Sequence, residues 1–247
     1  MAIARKIRCR VEHLLGLGEG VYTVDLRLES PAPAFKAGQF LHLTLDEYSP
    51  SRHWPESRVF SIASPSEQRD LIQICYSVKG HYTTRMEREL AIGVAVWIKL
   101  PFGDFFVDDT QDVVLLAGGT GISAFSAFIA SLRPGHSRDV LLAYGVRRPS
   151  HWLFNDLIIG QLRRVPRFRV ALYCEQPDSS LPSVPSDVTP RLDYLSGRIA
   201  VSSIWPRLLN HAAHCFYLSG PPEMLTCLSD GLRAQAVATD MVRIDAW

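Results

Sequence analysis

The sequence predicts a two-domain β plus α/β protein: a six-stranded antiparallel β-barrel, residues 1–107, followed by a doubly wound parallel α/β domain, residues 108–247. Three observations carry this. The first hundred or so residues hold short segments with period-two alternation, parted by turn residues. Beyond Phe106, continuous apolar runs alternate with helical segments, as in a parallel sheet covered on both faces. Between the two lies an acidic stretch, Val107-Asp108-Asp109-Thr110-Gln111-Asp112, that reads as a linker.

The barrel strands are KIRCRVEHLL, VYTVDLRLES, QFLHLTLDE, RVFSIASP, LIQICYSVK and AVWIKLPF. Their boundaries are set by turn signals at Gly18-Glu19-Gly20, Ser30-Pro31-Ala32-Pro33, Ser64-Pro65 and Gly93. One helix is expected among them, Thr84 to Leu90, with Thr84 and Glu87 in capping-box register. In the second domain the strands VVLLA, VLLAYGV, FRVALYC and CFYLSG alternate with the helical segments ISAFSAFIASL, HWLFNDLIIGQLRR and PEMLTCLSDGLRAQ. The Pro/Ser-rich stretch 176–190 reads as an exposed loop, and there are no internal repeats.

Composition narrows the function classes. A net charge of +1 gives no global field favouring nucleic acid or an anionic membrane. The basic clusters Arg5, Lys6, Arg8, Arg10 and Arg163, Arg164, Arg167, Arg169 read first as solvated faces. Cys9, Cys75, Cys174, Cys215 and Cys227 show no metal-ligand spacing, so no metal is expected; scattered as they are, they read as reduced, buried thiols. The N-terminus shows no signal peptide, and no window is apolar enough to span a bilayer. A cytoplasmic monomer is expected.

Four places have chemical potential. Gly118-Gly119-Thr120-Gly121 follows the strand VVLLA and opens a helix. Glycines there allow close backbone approach, and helix N–H groups suit a pyrophosphate. Arg58-Val59-Phe60-Ser61 begins a barrel strand, with Arg58 and Phe60 on one face and Val59 and Ser61 on the other. A guanidinium fork fits phosphate and an aromatic can cover a planar ring, but a salt-bridged arginine on a half-buried strand accounts equally well for these residue types. Lys79-Gly80-His81-Tyr82-Thr83-Thr84 leads into the short helix and is a second anion site or a plain N-cap. Tyr217-Leu218-Ser219-Gly220-Pro221-Pro222-Glu223-Met224 marks only a helix starting near Pro222.

Taken in order, RVFS, GHYT, PFGDF, AGGTG, YGVR, SGPPEM and a terminal aromatic resemble the ferredoxin–NADP reductase superfamily along nearly the whole chain, and within it the compact bacterial ferredoxin/flavodoxin–NAD(P)H reductases. The resemblance implies a Greek-key barrel holding FAD and an NAD(P)H-binding α/β domain. By this likeness Arg58 would neutralise the FAD pyrophosphate, Phe60 would lie against the flavin, and Ser61 would hydrogen-bond near flavin N5. Val59 belongs to the same signature. Gly80, His81, Tyr82 and Thr83 or Thr84 would form the turn that holds the phosphates, and Tyr76, Ser77 and Val78 would line the flavin by backbone contacts. Gly119, Thr120 and Gly121 would receive the dinucleotide pyrophosphate, with Arg147, Gly220, Pro221 and Met224 around it. Trp247 would stack on the isoalloxazine until nicotinamide displaces it, and Asp245 would join a proton path with Ser61.

Two departures from the family pattern stand out. Ser219 occupies the place of a common cysteine beside the nicotinamide, which implies slower hydride transfer. Cys174-Glu175 replaces the Ser-Arg that grips a 2′-phosphate, which favours NADH over NADPH, although Arg147-Arg148 could supply positive charge nearby. The expected reaction is hydride transfer from nicotinamide to flavin, then single electrons to a separate carrier: a ferredoxin, a flavodoxin or a Rieske-type oxygenase component. The alternatives are an NAD(P)H:flavin reductase with diffusible flavin, an electron-relay subunit of a larger dehydrogenase, or FMN in place of FAD.

Overall fold

A computed structural model describes residues 3–108, 110–177, 186–208 and 214–245. The chain divides into two compact units between Phe106 and Val107.

In the first unit six strands form one antiparallel sheet: β1 Arg5–Gly16, β2 Val21–Leu28, β3 Phe40–Thr44, β4 Arg58–Ser61, β5 Leu71–Ser77 and β6 Ala95–Phe102. Their order, β4-β3-β6-β1-β2-β5, returns β6 between β3 and β1 in Greek-key fashion. Alternation places Ile7, Cys9 and Val11 inside, where Ile7 pairs with Ile98 and Cys9 with Val96. The sheet nearly closes: Ala63 N–H donates to Gln73 O at 2.8 Å, and Gln73 N–H to Ser64 Oγ at 3.2 Å, just past the end of β4. Near the barrel's end Gln39 donates to the Gly103 carbonyl at 2.9 Å. A Cβ at Gly38 would stand 2.5 Å from Phe105 O, so the chain can pass there only as glycine.

The helix of this unit, α1, spans His81–Glu89 and begins three residues before the expected Thr84. The cap is Gly80 with Thr83, whose Oγ1 accepts from Lys79 N at 2.9 Å and Gly80 N at 3.2 Å. Glu87 does not cap; it accepts from the Tyr22 hydroxyl at 2.8 Å. The Thr83 hydroxyl meets the amides at the helix start, so the Thr84–Glu87 spacing has no capping role. Tyr82 ties the helix to the barrel, donating to Leu43 O at 2.8 Å and accepting from Leu45 N at 3.2 Å.

In the second unit six parallel strands run in the order β10-β9-β8-β7-β11-β12. They are β7 Asp112–Gly118, β8 Val140–Val146, β9 Phe168–Cys174, β10 Leu192–Ser196, β11 His214–Ser219 and β12 Val242–Asp245. The helices are α2 Ser123–Ser131, α3 Asn155–Arg164, α4 Val201–Ile204 and α5 Pro222–Ala234. Val201, Ile204, Leu228 and Leu232 from α4 and α5 cover Val114, Leu116, Leu141 and Phe216 on one face of the sheet. Gln161 of α3 reaches the C-terminus of α2, where its Nε2 donates to Ile129 O at 2.7 Å and Ala130 O at 3.0 Å. That satisfies carbonyls that a helix end leaves open.

Strands β10 and β12 have no counterpart in the sequence reading. Both are short edge strands whose residues mix buried, half-buried and exposed positions, so they carry no apolar run. The third helix starts at Asn155 rather than His151, because Phe154 takes φ 58° and breaks the helix there. Most of the stretch 176–190 lies outside the described residues. Four of the cysteines are buried free thiols, as expected, but Cys227 is exposed on α5. No helix among the described residues is long and apolar enough to cross a membrane.

Candidate functional sites in the two units

The first site lies in the barrel unit, where β4 meets the start of α1. Arg58 is exposed and lies 5.7 Å from the centre of the Tyr82 ring, so β4 and the Gly80 turn come together. Among the described residues no carboxylate pairs with Arg58. The salt-bridged alternative thus finds no partner among the described residues, and a guanidinium fork suits an anion. At Gly80 the backbone is extended (φ −160°) and a Cβ would meet nothing within 4 Å. Neither conformation nor crowding requires glycine there, so a side chain would intrude only on something arriving from outside. Exposed guanidinium, open glycine and helix N–H groups together fit a diphosphate.

The hydroxyls beside this turn differ in their commitments. Thr83 is engaged by the Lys79 and Gly80 N–H groups. Among the described residues no side-chain hydrogen bond engages the Thr84 hydroxyl, while its N–H donates to Gly80 O at 2.9 Å. His81 is exposed and Tyr82 is buried. Phe60 is nearly buried and meets Tyr76 edge-on at 6.3 Å, while Val59 and Ser61 are half-buried on the opposite face of the strand. Tyr76 stacks on Tyr22 at 5.1 Å, and burial pushes its phenol up; its hydroxyl is buried without a partner among the described residues. Such a group is costly unless something polar reaches it. Beyond it, the half-buried Ser77 and Val78 end the strand, and Val78 N–H is spent on Gly20 O at 2.8 Å, so Val78 can offer a ligand only its carbonyl.

The second site lies in the parallel-sheet unit. The strand order reverses between β7 and β11, and such a switch point leaves a crevice at the carboxyl ends of the strands. The turn after β7 is a 3-10 turn, Gly119–Ile122, leading directly into α2. Its glycines serve different purposes. A Cβ on Gly118 would stand 2.5 Å from Met224 Sδ and 2.9 Å from Pro221 Cδ. One on Gly121 would stand 2.3 Å from Ser219 O. These positions lock the turn after β7 against the turn after β11. Gly119 alone takes a left-handed φ, +53°, and faces open space. It is the member of the motif that can receive a ligand, with half-buried Thr120 beside it.

Across the switch point, Ser219 donates to Asp245 Oδ2 at 2.9 Å, and both residues are buried. The parallel pairing of β11 with β12 sets them opposite one another. Sequence reasoning gave each a role but missed the bond between them, because β12 was not recognised as a strand. A Cβ on Gly220 would stand 3.1 Å from Gly118 Cα and 2.6 Å from Met224 Cε, so little room is left for a side chain there. Trp247 lies outside the described residues.

At the other side of this edge Arg147 follows β8 and Glu175 follows β9. The two stretches are stitched by Gln176 N–H to Arg147 O at 2.9 Å. Glu175 is held by a residue that sequence reasoning did not consider: Arg198 Nε lies 3.1 Å from its Oε2. No sequence signal pointed to Arg198, since it follows the unrecognised strand β10.

The chain is 30% identical over 230 residues to reductase component 1 of terephthalate 1,2-dioxygenase from Comamonas sp., across 87% of this chain and 62% of that protein. It thus spans less than two thirds of that curated relative. Its fold matches the Amycolatopsis cytochrome P450 reductase at a TM-score of 0.81, with 22% identity, covering 99% of this chain and 70% of that one. It also matches the flavohem-like FAD/NAD binding domain of nitric oxide dioxygenase from Vibrio cholerae at a TM-score of 0.76, with 17% identity and 98% of each chain covered. No family model matches the chain. The chain thus shares the fold of a flavohem-like FAD/NAD binding domain and is similar in sequence to the reductase component of a dioxygenase.

Proposed function

We propose that this protein is an FAD-dependent NAD(P)H oxidoreductase that delivers electrons singly to a separate carrier, of the kind an oxygenase reductase component serves. The observation that carries this is the presence, in one chain, of two anion-receiving turns of different construction: Arg58 with Gly80 in the barrel, and Gly119 at the switch point of the parallel sheet. The relatives named above, a dioxygenase reductase component and a P450 reductase, point to an oxygenase-type partner. We assign the protein to the cytoplasm, in keeping with five free cysteines.

Bound flavin supplies the chemistry of accepting a hydride and releasing electrons one at a time. The protein's part is to hold and orient. Arg58 and the turn Gly80, His81, Tyr82 bind the FAD diphosphate, with the Thr84 hydroxyl rather than that of Thr83 free to donate to it. Phe60 and the strand end Tyr76, Ser77, Val78 flank the ring, and Ser61 hydrogen-bonds at its edge. Gly119, Thr120 and Gly121 seat the dinucleotide pyrophosphate, while Gly220, Pro221 and Met224 shape the opposite wall. Ser219, oriented by Asp245, presents its hydroxyl to the nicotinamide, so Asp245 acts here through Ser219 rather than through Ser61. By the family resemblance Trp247, outside the described residues, would stack on the flavin ring. Glu175 accepts hydrogen bonds from free ribose hydroxyls and favours NADH.

An anaerobic titration of the purified protein with NADH and then NADPH, followed by flavin absorbance, tests the proposal. Bound flavin that bleaches rapidly, and faster with NADH, is the expected result. Colourless protein that binds no added FAD would overturn it; oxidation of NADH only with excess free flavin would make this a flavin reductase instead.

A further inference from the structure

Beside α4 and α5 the parallel-sheet unit carries a hollow of about 310 Å³, open on one side. His214, the first residue of β11, and Met241, just before β12, place it at the amino ends of those strands. Ser219 lies at the other end of β11, about 16 Å away for a strand of this length. No residue assigned above to flavin or nucleotide lines the hollow, so the inference goes beyond that reading. Its volume is at the lower end of the range of ligand sites, enough for one or two rings. Trp205 and Val237 are fixed walls, since each packs against the buried cluster of the sheet and also borders the hollow.

The lining selects a chemistry. Trp205 brings an indole and Met241 a thioether, both of which favour contact with an aromatic ring. His214 and Gln235 add an imidazole and an amide, groups that can bond a hydroxyl. Among the described residues, those lining the hollow include no Asp, Glu, Lys or Arg, so a charged ligand would lose hydration and gain no counter-ion. The cap of α5 adds a second sign. Val237 N–H donates to Leu232 O at 3.1 Å and Ala236 N–H to Arg233 O at 2.9 Å, which closes the helix through a left-handed residue. That residue is usually glycine, yet here it is Ala236, at φ +58°. Both bonds are made by backbone, so the cap gains nothing from the methyl, and the strained residue borders the hollow. We propose that the hollow binds an uncharged aromatic molecule bearing a hydroxyl, with its ring against Trp205 and its hydroxyl at His214 and Gln235. A ligand there leaves the turn at Gly119 open, so it binds together with a nucleotide and not in its place.

The test is a fluorine NMR titration of para-fluorophenol into the full chain with FAD present, repeated with para-fluorobenzoate. Saturable binding of the phenol with a millimolar Kd is expected, and binding of the benzoate about tenfold weaker. Ala238 is exposed, so Ala238→Leu can fill the hollow without disturbing the core, and it is expected to weaken phenol binding about tenfold. Trp205→Leu is expected to weaken it about fivefold through loss of the ring contact. Ala236→Gly is expected to raise the melting temperature by about 2 °C while weakening binding about threefold, two changes that a purely structural methyl would not produce together. No saturable phenol binding at millimolar concentration would overturn the proposal. So would affinity unchanged in both Ala238→Leu and Trp205→Leu, which would place the phenol elsewhere on the protein. Benzoate binding as tight as that of the phenol would overturn the uncharged class, and displacement of the phenol by saturating NAD⁺ would put it in the nucleotide site instead.

Discussion

A Cβ added at Gly80 of the barrel unit meets no atom within 4 Å, whereas one added at Gly121 of the parallel-sheet unit comes 2.3 Å from the Ser219 carbonyl. The barrel turn is open, and the anion site proposed there rests on an exposed side chain, Arg58. The parallel-sheet turn is interlocked, and the site proposed there rests on backbone held by neighbouring turns through glycine. On that proposal ligand binding and fold stability are separable in the first unit and joined in the second.

Gly121→Ala puts this contrast to its hardest use. The added methyl meets backbone rather than a flexible side chain, so a loss of about 3 kcal/mol in a urea melt is expected. A neutral result would mean the turns can part, and the interlock would not be real. Arg58→Gln is expected to leave the melt unchanged and to weaken flavin retention by about 2 kcal/mol, roughly 30-fold, measured as the apparent Kd for FAD. A matching loss of stability would make Arg58 structural.

Ser219→Ala takes one donor from a buried carboxylate, and a cost of about 1–2 kcal/mol is expected by thermal melting, with slower flavin reduction in stopped flow. Ser219→Cys keeps a weaker donor and sharpens the test, since recovery of the rate would show that the group facing nicotinamide matters for hydride transfer. Gly80→Ala should cost the fold less than about 1 kcal/mol, as the cap loses only its preference for glycine, yet FAD should bind more weakly. The smallest effect concerns His42 on β3, whose imidazole is held below its usual range by burial and by Lys99. The unfolded chain takes up a proton that the folded one resists, so stability is lost as pH falls through about 6.5. Denaturant melts of His42→Gln should lack that slope.

Much of this architecture was legible without coordinates. VVLLA, VLLAYGV and FRVALYC announce themselves because a strand buried on both faces must be apolar throughout. The barrel strands do so because a wall with one wet face alternates. What escaped was local and exposed. LDYLS and VRID are strands only because a neighbouring strand offers its edge, and their own side chains mix buried, half-buried and exposed positions. The start of α1 at Gly80 was hidden because two threonines compete for the cap, and only the fold shows which hydroxyl meets the Lys79 and Gly80 amides.

The sequence by itself determined the two-domain order and the identity of the strand Arg58–Ser61 and the turns Gly80–Thr84 and Gly118–Gly121, since these depend on residues close together in the chain. Only the tertiary structure decided which residues became partners: Ser219 with Asp245, Glu175 with Arg198, and Arg58 with Tyr82. The reason is physical. Periodicity and turn chemistry act over a few residues, whereas a hydrogen bond or ion pair between strand ends depends on which strands lie side by side, and strand order is written in no short stretch of sequence.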